Sequence, residues 1–452
     1  MPGCGEPGLK ILFTNPPWWD AERPDGSIVG VRAGSRWPFT LASRSTPQRY
    51  VYGTYLPYPF FMGYAASYAR KALPAATVVL RDSLATRESY EQYLRFIADN
   101  RFDYIVLETA TASWEHDAQI VRLIRQLQPD AKVVLTGLVA GMDTGRLIAE
   151  HGIHACIKGE YEKNCVKVFE GASGLLEHDL LTLEEMNAAP FPEWNDETWW
   201  RYYDHHPNGQ VMPHAQVWSS RGCPFKCIFC VWPAAMTGND PDGTGVRTVR
   251  HYSAEYMQEY LTALVRRWPF RSIYFDDDTF NLGNGHVQRM CEVMRKVKLP
   301  WSAMCRADTI SQDTWKLMKE SGCFGVKLGF ESGNQYVVDQ IVNKHLDLEQ
   351  AAQVVRHLKT LGMTVHGTFT SGLPGETREQ MADTVRFIRS LPFDSFQHSG
   401  TAEIDGTPMQ LLREKGTLAK YAGARIDASY NRHADGNKKF QLLARELAES
   451  HA

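Results

Sequence analysis

The stretch RGCPFKCIFC places Cys223, Cys227 and Cys230 in a C-x3-C-x2-C array directly after the β-rich run QVWSS. Three thiolates gathered on one loop point to metal chemistry. Zinc sites normally recruit four ligands, often as two separated pairs, and the remaining cysteines of this chain are scattered with no second pair near in sequence. Three sulfurs suit a 4Fe–4S cluster that keeps one iron open, and that iron can chelate the amino and carboxylate groups of a bound molecule. The alternatives are incidental loop cysteines or a zinc ion with a distant fourth ligand. Phe225, Ile228, Phe229 and Trp232 would either shield a cluster from solvent or simply pack the loop.

The elements that must position this loop follow from the hydrophobic pattern. From Lys10 to about Gly171, short apolar runs (KILFT, TVVL, YIVLE, KVVLT, HACIK) alternate with stretches of helical periodicity at 62–73, 88–99, 116–128 and 143–151. That alternation predicts an open, doubly wound parallel sheet over residues 1–171, with ligands expected beyond the carboxyl ends of its strands. Residues 172–213 break the rhythm with AAPFPEW and DHHPNG and read as a linker. From 214 to 405, the runs QVWSS, SIYFD, SAMCR, GVKLG, VHGTF and SFQHSG recur between helical stretches such as 254–267 and 348–361. Six such units predict a partial (β/α)6 barrel, short of the closed eight-fold form. Residues 406–452 read as a helical C-terminal segment.

The chain has 452 residues, 43% hydrophobic and 22% charged, a composition that excludes disordered and disulfide-scaffold classes. With 49 Lys plus Arg against 52 Asp plus Glu, the net charge of −3 gives no electrostatic case for a nucleic-acid partner. Nine cysteines are too few and odd in number for a disulfide framework, and no run of about 18 apolar residues argues for a membrane span. The expectation is a cytoplasmic protein.

The cysteine array, together with YFDDDTF, CRADTI, GVKLGFESGN, FTSGLPGET and a late DGTPM, resembles the radical S-adenosylmethionine (SAM) superfamily, and the N-terminal doubly wound domain resembles its cobalamin-dependent class. The resemblance implies that Cys223, Cys227 and Cys230 ligate a 4Fe–4S cluster. It implies that Asp276 and Asp278, flanking Asp277 at a strand end where side chains alternate, hold the ammonium of SAM. It assigns Arg306 to the SAM carboxylate, Glu331 to the ribose hydroxyls, and the turn at Gly372 and Pro374 to adenine or ribose. Arg306 and Glu331 could each instead be half of a structural ion pair, and clustered acids at a strand end could merely cap a helix.

For cobalamin the expected contacts are the loops at the strand ends: Asn15 and Pro16 after KILFT, Thr109, Ala110, Thr111 and Trp114 after YIVLE, Gly137 after KVVLT, and Gly159 with Glu160 after HACIK. The D-x-H-x-x-G pattern that supplies a cobalt-ligating histidine is missing after the first strand. It recurs only at Asp204, His206 and Gly209, in the linker and outside a strand–helix context. The lower face of cobalt is therefore expected to be open, water-bound or covered by a side chain such as Trp114. The implied activity is a radical C-methyltransferase that acts on a small-molecule or natural-product substrate and draws single electrons from a flavodoxin or ferredoxin. The alternatives are a cobalamin-dependent cyclisation, ring contraction or other rearrangement without methyl transfer, and a corrinoid-binding sensor or carrier.

Overall fold

The computed structural model describes residues 8–19, 24, 28–30, 39–41, 56–110, 113–141, 143–202, 204, 211–231, 248–401 and 407–415. The chain divides into two compact units, each with its own sheet.

The first unit contains β1 (Lys10–Asn15), an antiparallel pair β2 (Ile28–Gly30) and β3 (Phe39–Leu41), α1 (Phe60–Ala72), β4 (Thr77–Asp82), α2 (Ser83–Thr86), α3 (Tyr90–Asp99), β5 (Tyr104–Thr109), α4 (Trp114–Leu127), β6 (Lys132–Gly137), α5 (Thr144–His151), β7 (Ala155–Ile157), α6 (Glu162–Phe169), β8 (Gly174–Leu176) and α7 (Leu183–Ala188). Six strands form one parallel sheet in the order β4-β1-β5-β6-β7-β8. Every residue of β5 is buried, as a strand covered on both faces requires. Leu12, Ile105, Leu107, Val133 and Leu135 of the strands pack with Ile97, Ile120, Val121 and Ile124 of the helices. Each such side chain withdrawn from water stabilises the fold by about 1.5–3 kcal/mol. Ser89 and Gln92 form a reciprocal capping box that fixes where α3 begins.

All five expected strands are present, and the sheet continues into residues expected as linker, where β8 adds a sixth. That strand is three residues long and starts at Gly174, at φ 81°, so it offers no alternation to read.

The second unit contains β9 (His214–Val217), β10 (Ser220–Arg221) paired antiparallel with β11 (Arg250–His251), α8 (Ala254–Arg267), β12 (Ser272–Phe275), α9 (Asn284–Val297), β13 (Trp301–Cys305), α10 (Gln312–Glu320), β14 (Cys323–Glu331), a π turn at Val337–Ile341, α11 (Leu348–Thr360), β15 (Thr364–Ser371), α12 (Arg378–Ser390), β16 (Ser395–Gly400) and α13 (Pro408–Glu414). Six parallel strands run in the order β16-β15-β14-β13-β12-β9, so the sheet is open, with β9 and β16 as its edges. Of the expected C-terminal helical segment, α13 is described and residues 416–452 lie outside the described residues. Among the described residues no helix is long and apolar enough to cross a membrane.

Candidate active site

β9 and β10 deliver the chain to Gly222, at φ 91°, and the cysteine loop begins at the next residue. Cys223 is buried, with its Sγ 3.5 Å from Thr279 Oγ1, and desolvation pushes its thiol up to about 11. Cys227 and Cys230 are half-buried and joined by a turn in which Cys230 N donates to Cys227 O at 3.1 Å. Cys227 and Phe229 pack on Val337, Ile341, Val342 and Leu373. The described residues contain no group of three ligands that could hold a single metal ion. A cubane asks for something different, because each thiolate bonds its own iron. The donor set fits that demand: three thiols outside any disulfide on one anchored loop. Cys156, Cys165, Cys291, Cys305 and Cys323 are buried elsewhere, with thiols raised by desolvation, as inert structural cysteines are. Cys4 and Trp232 lie outside the described residues.

The three aspartates after β12 differ in burial. Asp277 turns inward, only 2% exposed, and its Oδ1 accepts from Ser219 N (3.0 Å), Ser219 Oγ (3.0 Å) and Ser220 Oγ (2.5 Å). Burial outweighs those hydrogen bonds and pushes its carboxyl up to about 7. Behind it, Ser219 Oγ lies 3.0 Å from His286 Nε2, and His286 stacks on His251. Asp276 and Asp278 are half-buried, and the charge of Asp278 acts on the Cys223 thiol. Asp277 thus ties the root of the cysteine loop to the end of β12.

Arg306 and Glu331 are both engaged within the protein. Arg306 makes a bidentate pair with Asp308 (2.9 and 2.7 Å), donates to Lys344 O at 3.1 Å, and lies 3.5 Å over the Phe225 ring. Asn281 clips its backbone from both sides. Glu331, at φ 70°, accepts from Lys344 Nζ on Oε1 and from Thr370 Oγ1 on Oε2, both at 3.1 Å. Lys344 is the cation that no motif announced. It stands beside the cysteine loop, and the approach depends on the fold rather than on local spacing.

In the turn after β15, Gly372 N (2.8 Å) and Leu373 N (3.2 Å) donate to Glu376 Oε2, so Glu376 holds its own loop closed. Gly372 and Gly375 have φ of 72° and 81°, which only glycine adopts without strain. Pro374 is buried. Burial raises the Glu376 carboxyl to about 7. Leu373 carries this turn onto the group that packs on Cys227, so the two loops share one apolar floor.

In the first unit, Asn15 ends β1, 2% exposed, and neither atom of its amide has a hydrogen-bond partner among the described residues. Pro16 follows, buried. Thr109 and Gly137 face each other across β5 and β6, Leu138 N donates to Thr109 O, and a Cβ on Gly137 would run into that same oxygen. Ala110 is buried beside them. Trp114 packs on the core of the sheet and edge-on to His151 at 5.2 Å. Gly159 has φ 76°, and Glu160 is buried with Oε2 accepting from Leu181 N at 3.1 Å. Thr111 lies outside the described residues, as do His206 and Gly209 of the linker pattern.

Residues 219–388 match the sequence profile of the Radical SAM superfamily. An uncharacterized methyltransferase of Pyrococcus horikoshii is 28% identical over 378 residues, covering 79% of this chain and 78% of that protein. The anaerobic magnesium-protoporphyrin IX monomethyl ester cyclase of Rubrivivax gelatinosus is 22% identical over 363 residues, covering 73% of this chain and 62% of the cyclase. Among solved structures, the radical SAM methyltransferase TsrM of Kitasatospora setae, with cobalamin and a 4Fe–4S cluster bound, superposes with a TM-score of 0.64 at 16% identity over 93% of this chain and 76% of TsrM. Residues 219–388 thus match the Radical SAM superfamily, and the chain shares its fold with the cobalamin-bound methyltransferase TsrM.

Proposed function

We propose that the chain is a cobalamin-dependent radical SAM enzyme that methylates an unactivated carbon of a small-molecule or natural-product substrate. The observation that carries the reading is the union, in one chain, of a doubly wound sheet and an open six-stranded parallel sheet whose first strand runs into Cys223, Cys227 and Cys230. Methyltransferase relatives support it. A 4Fe–4S cluster held by those three thiols would leave one iron open for SAM and supply the electron that cleaves it to methionine and a 5'-deoxyadenosyl radical.

Around that position the chain's own groups have distinct tasks. Ile228 and Phe229 keep water from the cysteine loop. Asp276 and Asp278, half-buried on either side of Asp277, would hold the ammonium of SAM. Arg306 would supply the positive charge for its carboxylate, and the Glu376-closed turn at Gly372 and Pro374 would offer backbone to the adenosyl group. At the carboxyl ends of the first sheet, the Asn15 amide, without a partner among the described residues, suits a macrocycle that carries amide side chains, and Pro16, Thr109, Ala110, Trp114, Gly137, Gly159 and Glu160 would border it. A flavodoxin or ferredoxin in the cytoplasm would deliver the electron.

Anaerobic reconstitution with iron, sulfide and hydroxocobalamin, followed by turnover with methyl-deuterated SAM and mass spectrometry, tests the reading. A product carrying a trideuteromethyl group is expected. The relationship to a cyclase favours one second reading, a rearrangement without methyl transfer, which would give a product lacking deuterium. Protein that binds corrinoid yet forms no 5'-deoxyadenosine would overturn both.

A further inference from the structure

Lys344 sits in a segment that departs from regular backbone on either side. Val337–Ile341 is a single π turn, and Asn343 and His345 have φ of 59° and 52°. Left-handed backbone at two non-glycine residues costs about 1 kcal/mol or more at each, and it persists only where the surroundings fix it. Here the cysteine loop and its neighbours do so. Ile228 N donates to Val342 O at 3.0 Å, Asn343 Nδ2 donates to Lys226 O at 3.0 Å, and Lys344 O accepts from Arg306 Nη2 at 3.1 Å. Residues 342–344 are therefore strapped to the cysteine loop on both sides of Cys227, whose charge is felt at the lysine.

The Lys344 side chain is 8% exposed, and its ammonium makes one hydrogen bond among the described residues, to Glu331 Oε1. Two of its three N–H donors are left over. Gly329 makes room for the pair, since a Cβ there would lie 2.9 Å from Glu331 Oε1 and 3.0 Å from Lys344 Nζ. A buried ion pair is a weak source of stability, and apolar residues of the same volume would serve the core as well or better. Its presence in the segment strapped to the cysteine loop calls for an electrostatic reason. Three thiolates give a 4Fe–4S cluster net negative charge, which grows by one on reduction, and a fixed positive charge alongside favours the reduced form.

We propose that Lys344 is a positioning residue that sets the reduction potential of the cluster through Cys227, with Glu331 as the counter-ion that limits its effect. The proposal rests on the cluster assignment made above. In the step it governs, the oxidised cluster accepts one electron from a one-electron donor, and no bond forms or breaks.

The test is a reductive titration with titanium(III) citrate, followed by electron paramagnetic resonance, on the anaerobically reconstituted full chain without SAM. Lys344→Met is expected to retain its iron and sulfide while the equilibrium constant for reduction falls at least tenfold, a shift of 59 mV or more to negative potential for a one-electron couple. Lys344→Arg should stay close to the wild-type potential. Glu331→Gln, which removes the counter-ion, should move the potential the opposite way, and it carries the test alone should Lys344→Met fail to take up iron. A fully loaded Lys344→Met, or failing that a fully loaded Glu331→Gln, titrating at the wild-type potential would overturn the proposal while leaving the cluster assignment standing. A wild-type chain that binds no cluster would overturn the assignment itself.

Discussion

Asp277 shows how much the direction of one side chain decides. Its carboxyl is held near 7 by burial, against an ordinary value of 3.8, so between those values the unfolded chain has released a proton that the folded chain keeps. Stability therefore falls as pH rises from about 4 to 7, and the loss is complete above about 7, by roughly 4 kcal/mol at most. Asp277→Asn should flatten that slope, which denaturant unfolding of the two proteins at pH 4, 5.5 and 7.5 would reveal. An unchanged slope would mean that the carboxyl ionises normally. Among the cysteines, Cys223→Ala, Cys227→Ala and Cys230→Ala should each abolish the broad visible absorption of a reconstituted cluster, whereas Cys291→Ala and Cys323→Ala, deep in the packing of the second unit, should preserve it. At this scale the cysteine loop was legible because its meaning lies in local spacing. The roles of Arg306 and Glu331 were less so. Their partners, Asp308, Lys344 and Thr370, are set by burial and by contacts between elements, and Lys344 belongs to no pattern in the sequence.

Among the elements, turns are the most exposed to substitution. Glu376→Ala would remove the acceptor of the Gly372 and Leu373 N–H groups, and because Gly372 is exposed and water can replace its bond, the cost should be about 0.5–1.5 kcal/mol, whereas Glu376→Gln keeps an oxygen there and should cost less than half as much. Urea unfolding at neutral pH separates the two. In the first sheet, Gly137→Ala must both hold a left-handed φ of 85° and displace Thr109 O, so it should destabilise that unit by more than about 2 kcal/mol and lower the amount of corrinoid retained. Corrinoid retention measured by absorbance after gel filtration would check it. Strands of four to nine residues with apolar runs were legible from periodicity. β7 is as short, yet the run HACIK announced it; the three-residue β8 and the single-turn α2 were not legible, because neither carries an apolar run of its own.

At the scale of the whole chain, the division into two units, each with its own parallel sheet and core, predicts that the cofactors load independently. Cys227→Ala reconstituted anaerobically with hydroxocobalamin should lack the cluster and retain wild-type corrinoid, as read by iron content and corrinoid absorbance of the same sample. Loss of both together would mean that one site depends on the other. The strap that covers Cys227 has a consequence in time as well as in space. Asn343 clasps the carbonyl of Lys226 across 117 residues of chain. On a ribosome adding 5–20 residues per second, the thiols are made about 6–23 s before the segment that closes over them. A nascent chain thus presents its cysteine loop with one flank bare, and iron and sulfide meet a finished nest only after residue 345 has emerged.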